Sequence, residues 1–157
     1  MNRPAASQRG FTLIELLAVV GILAVLASIA LPRLFAATEK AKVARAIADI
    51  STINKAVITY QALHSGDLPD NMSQMIPAQI PQTMLDPWGK AYVYNNFDYI
   101  PPGWRRKDGA LVPINKQYDI FSEGPNGTSS FPTNSGTGKD AIRFANDGGF
   151  IDIAEKY

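Results

Sequence analysis

The sequence predicts an α+β fold in which one long N-terminal helix, a membrane half followed by an amphipathic half, packs on a small antiparallel sheet. Three observations carry that prediction. Phe11 to Leu31 reads FTLIELLAVVGILAVLASIAL, 21 residues in which Glu15 is the only charge. Apolar residues then recur every three or four positions at Val43, Ile47, Ile50, Ile53, Val57 and Tyr60, the spacing of a helix with one buried face. Beyond Gly66 that period stops. Short β-branched and aromatic runs lie between turn residues, with no intervening helix to make a parallel crossover.

Composition narrows the function classes. A chain of 157 residues suffices for one domain with a modest core. It carries 15 basic and 14 acidic side chains, a net charge of +1, which gives no reason to expect a nucleic-acid partner. The absence of cysteine excludes disulfides, thiolate metal sites and a cysteine nucleophile.

The N-terminal segment is the most informative. The opening MNRPAASQRG holds Arg3 and Arg9 and no acid, and positive flanks stay in the cytoplasm. The following apolar run is long enough to span a bilayer. This predicts a cytoplasmic leader over 1–10, a span over 11–32, an amphipathic helix over 33–65, and a head over 66–157 outside the inner membrane. A secretory signal peptide would need a small-residue cut site, which Ser28-Ile29-Ala30 could supply. Its apolar core would be shorter, however, and would hold no carboxylate. A plain membrane anchor leaves Glu15 unexplained, and an intramembrane carboxylate is costly and marks a function or a partner.

A third reading uses all of these features. The junction Arg9-Gly10-Phe11-Thr12-Leu13-Ile14-Glu15-Leu16-Leu17 resembles the leader of type IV prepilins and type II secretion pseudopilins. The shared features are Gly before the cut, Phe after it, Glu at the fifth mature position, and a helix-disturbing proline at Pro32. The resemblance implies a pilin-like fold, cleavage between Gly10 and Phe11 by a prepilin peptidase, and N-methylation of Phe11. Cleavage takes Arg3 and Arg9 from the 15 basic side chains, leaving 13 against 14 acidic, and keeps the apolar helix. In a filament, Glu15 of one subunit would face the Phe11 amine of the next. Pairing offsets the cost of burying each charge and fixes the axial stagger. Gly21, Ala24, Ala27 and Ser28 are small enough for helices to approach closely.

Pro32 lacks an amide hydrogen and crowds the preceding turn, so a kink or local melting is expected near Ser28–Leu31. Gly66 is the expected stop of a helix from about Thr12 to about Leu63. The turn-rich stretch Gly66–Asp86 reads as a loop with at most a short helix near Met72–Ile76. Asp86-Pro87-Trp88-Gly89 is a turn signature, because Pro87 presets φ and Gly89 permits a positive one. Strands are expected at Tyr92–Tyr94, Tyr118–Phe121 and Phe150–Ile153. Pro101 to Gly109 reads as a solvated loop between strands.

DPWG leading into an aromatic strand, followed by YDIFSEGPNG, resembles the major pseudopilin of type II secretion. That family binds calcium in its C-terminal loop, and calcium takes six to eight oxygens. The resemblance offers Ser122, Asn126, Asp140 and Asp147 as ligands, although Asp140-Ala141-Ile142 holds one acid where the family often has two. The alternative is that these Asp, Asn and Gly residues only make turns. His64, the only histidine, falls at a helix end, and no phosphate-loop or histidine–carboxylate pattern is present. The expected protein is therefore not an enzyme. It is a filament subunit held in the bacterial inner membrane with its head in the periplasm. Its expected partners are copies of itself, the peptidase, the inner-membrane assembly platform and minor pseudopilins. A true type IV pilin, major or minor, is the alternative, and a membrane-anchored periplasmic binding or enzymatic domain is the third reading.

Overall fold

A computed structural model describes residues 11–75, 84–108, 112–129 and 138–157. The chain divides into two compact units, one ending at Glu39 and one beginning at Lys40. Helix α1 (Leu13–Leu63) contributes to both.

In the first unit every large apolar side chain of α1 is exposed, from Leu13 at 79% to Phe35 at 69%. The segment is long and apolar enough to cross a membrane. Pro32 lies inside α1, and the backbone stays α-helical through it. The local melting expected near Ser28–Leu31 is therefore not found. An interior proline removes one backbone hydrogen bond, and the flanking turns of a 51-residue helix keep theirs.

In the second unit α1 turns one face inward. Ala46, Ile50, Ile53, Ala56 and Val57 are fully buried, and Val43 and Ile47 pack beside them. Burying Ile50 or Ile53 contributes about 1.5–3 kcal/mol each. The helix ends in a reversed turn: Ser65 and Gly66 both take positive φ, and the Gly66 amide donates to Gln61 O at 2.9 Å. This six-to-one bond satisfies a terminal carbonyl. A single 3-10 turn follows at Met72–Gln74, capped by the Asn71 side chain.

Four strands complete the head: β1 (Val93–Asn96), β2 (Tyr118–Ser122), β3 (Ile142–Ala145) and β4 (Phe150–Ile153). They pair antiparallel in chain order, as a meander without crossovers should. Tyr118, Ile120, Ile142 and Phe144 join the helix face in one apolar cluster. Strand β3 was not expected. Its Arg143 breaks the apolar run, yet that side chain is only 1% exposed and donates to Gly138 O at 3.1 Å. Nor is the Pro101–Gly109 segment a fully solvated loop. Pro102–Trp104 forms a 3-10 turn. Arg106 is buried, its guanidinium 3.7 Å above the centre of the Phe121 ring.

Candidate functional site

At the start of α1, Thr12 and Glu15 hold each other. The Thr12 amide and hydroxyl both donate to Glu15 Oε2, at 2.9 and 2.8 Å, and the Glu15 amide donates to Thr12 Oγ1 at 3.3 Å. This reciprocal arrangement is a capping box, in which side chains satisfy amides that a helix start leaves unpaired. The positive end of the helix dipole further favours a carboxylate there. The sequence reading singled out Glu15 and missed Thr12, although Thr-x-x-Glu before an apolar run is the signature of such a cap. Phe11, 84% exposed, is bonded directly to Thr12. Gly10, the other half of the expected cut site, lies outside the described residues.

The second candidate is the loop after β2. The Asp86–Gly89 turn forms as expected: Gly89 N donates to Asp86 O at 2.9 Å, and Gly89 takes φ +88°. Asp86 does more than turn the chain. Its Oδ1 accepts from the Trp88 and Lys90 amides at 3.0 and 2.8 Å, and its Oδ2 accepts from Ser122 Oγ at 2.5 Å. Ser122 Oγ accepts in turn from the Gly124 amide at 3.0 Å. Four residues on, Asn126 closes on Asp140. Its amide donates to Asp140 Oδ2 at 3.2 Å and its Nδ2 to Asp140 Oδ1 at 2.6 Å. Asn126 Oδ1 faces the other way, accepting from the Thr128 amide and hydroxyl at 2.8 and 3.0 Å. Because a backbone amide can only donate, Thr128 fixes which end of the Asn126 amide group faces Asp140.

The four expected calcium ligands do not converge. Ser122, Asn126 and Asp140 share one end of the sheet, where Ser122 pairs with Ile142. Asp147 follows the far end of β3 and belongs to a different cluster. It accepts from the Lys116 amide at 2.9 Å, lies 3.5 Å from Lys116 Nζ, and its own amide donates to Asn115 Oδ1 at 3.0 Å. At the loop, Asn126 presents a donor to Asp140 where a shared cation would need an oxygen. An ammonium is already close: Lys90 Nζ lies 3.4 Å from Gly127 O and 3.6 Å from Glu123 Oε2. The described donors therefore do not fit a calcium ion. Among the described residues no group of three or more His, Cys, Asp or Glu side chains is placed to hold a metal.

A charged cluster unforeseen in the sequence centres on Asp119 of β2. Asp119, 1% exposed, accepts from the Arg106 amide at 2.7 Å and from Asn115 Nδ2 at 2.9 Å. Burial pushes its carboxyl above the usual range, against the pull of those two donors and of the Arg106 and Arg143 charges. Burial likewise lowers both guanidiniums to about 10.

Comparison with known proteins agrees with the leader and head motifs. Residues 5–31 match the prokaryotic N-terminal methylation motif. The type II secretion system core protein G of Escherichia coli K12 is 31% identical over 141 residues, covering 80% of this chain and 87% of that protein. The core protein G of Pectobacterium carotovorum is 33% identical, covering 76% of this chain and 78% of its own. A fimbrial protein of Pseudomonas aeruginosa is 33% identical over 91 residues, 55% of this chain. No solved structure matches significantly.

Proposed function

Because the chain belongs to the family of the type II secretion system core protein G, we propose that it is the structural, major subunit of a type II secretion pseudopilus. The carrying observation is the 31% identity to a core protein G over 80% of this chain and 87% of that protein. The fimbrial likeness supports the surface-pilus alternative less, since it spans only 55% of the chain.

The subunit waits in the inner membrane through the apolar half of α1, with its head in the periplasm. A prepilin peptidase cuts after Gly10, and the Phe11 amine is methylated. The assembly platform then moves α1 from lipid to a bundle of like helices, so apolar surface exchanges one apolar surrounding for another. Glu15, already oriented by Thr12, pairs with the Phe11 amine of a neighbouring copy and sets the stagger. Minor pseudopilins complete the filament. No step requires catalysis by this chain.

Mass spectrometry of the N-terminus, from cells with the native peptidase, tests the reading. A chain starting at methylated Phe11 is expected. One starting at Met1, or after Ala30, would overturn it. Glu15→Ala should still be cut but should yield few filaments. Filaments in normal amounts would remove Glu15 from the assembly step.

A further inference from the structure

We propose that the described ends of the loop joining β2 to β3 are fastened by this chain's own side chains, so that the head folds and holds its shape without calcium. Three stitches carry the inference. Asn126 grips both oxygens of Asp140 through its amide and Nδ2. Buried Ser122 joins the loop to the Asp86 turn through its 2.5 Å hydrogen bond. The Lys90 ammonium approaches Gly127 O and Glu123 Oε2, supplying a positive charge against the loop from within the chain.

Two of the stitches oppose a divalent ion at this loop. Asn126 Oδ1 is turned to Thr128 and its donor end to Asp140, so binding would require the amide group to flip and leave the Thr128 amide without that acceptor. A second cation near Lys90 Nζ would also meet like-charge repulsion. The Lys90–Glu123 pair is partly exposed and contributes little by itself. The Asn126–Asp140 and Ser122–Asp86 bonds, each made to a carboxyl group, carry most of the fastening. The proposal concerns the head alone and stands whether or not the chain is cut at Gly10.

The test is thermal unfolding of the full chain in detergent, followed by the fluorescence of Trp88 and Trp104, in excess EGTA and in millimolar calcium chloride. The two Tm values should coincide. Asn126→Ala should lower Tm by about 3–8 °C in both buffers, the loss expected for a charge-assisted hydrogen bond in a chain of this size. A saturable rise of the wild-type Tm with calcium would overturn the proposal, and that comparison decides even if the variant fails to fold. An Asn126→Ala chain that melts with the wild type would overturn it equally.

Discussion

Asp119 shows how one buried residue can organise a surface loop. It holds the Arg106 amide, and the Arg106 guanidinium sits 3.7 Å over the Phe121 ring. The charges gain little in isolation. With its pKa raised by burial, Asp119 contributes stability fully below the unfolded carboxylate range and loses it as pH rises through the raised value. The two guanidiniums, lowered to about 10, carry a cost at neutral pH that is relieved only as pH rises through about 10. Removing one partner is nevertheless expensive, because it strands the others in low dielectric. Asp119→Asn would turn an amide donor toward the Arg106 amide or the Asn115 side chain and remove the carboxylate charge that Arg106 and Arg143 share. We expect a loss of about 3–5 kcal/mol in urea unfolding. A loss below about 1 kcal/mol would show that the cluster is solvated in solution.

At the scale of elements, the loop after β2 is limited by backbone space as well as by hydrogen bonds. Gly124 takes φ +75°, and a Cβ there would lie 2.4 Å from Asp140 O and 2.9 Å from its carbonyl carbon. Both obstacles are backbone, so neither can rotate aside. Gly124→Ala should cost about 2–4 kcal/mol, from overpacking plus the unfavourable φ. Gly66→Ala is the control. Its φ is +99°, but nothing lies within 4 Å of the added carbon, so about 1 kcal/mol is expected. Equal losses in calorimetry would remove the clash from the account. The sequence declared this turn through its glycines, and it declared α1 through helical spacing and β1, β2 and β4 through aromatic and β-branched runs. It could not declare β3, where Arg143 looks like a surface residue until Gly138 O and the neighbouring Phe121 are in view. Asp140 and Asp147 looked like one site for a related reason. Composition does not reveal that a strand runs between them, which separates them by on the order of 15 Å. Thr12 was legible as a capping residue from its Thr-x-x-Glu spacing to Glu15.

For the head as a whole, three tyrosine hydroxyls join the layers. Tyr92 donates to Asp49 Oδ2 at 2.9 Å and Tyr118 to Asn54 Oδ1 at 2.6 Å, both on α1, while Tyr94 donates to Pro69 O at 3.0 Å. Burial pushes the Tyr118 phenol up to about 12, and those of Tyr92 and Tyr94 higher still. A phenolate at Tyr92 or Tyr118 would also set its charge against Asp49 or the Asn54 oxygen. The sign follows from linkage. The folded pKa values exceed the unfolded value near 10, so this stability is complete below pH 10 and is lost as pH rises through the folded values. An alkaline titration followed by tyrosinate absorbance should therefore separate the chain's six tyrosines. Tyr92, Tyr94 and Tyr118 should ionise only together with loss of the folded circular-dichroism signal, in one cooperative step. Tyr92→Phe should remove one phenol from that late step. If all six tyrosines instead titrate reversibly near pH 10 while the head stays folded, the three hydroxyls do not fasten the helix and loop to the sheet in solution.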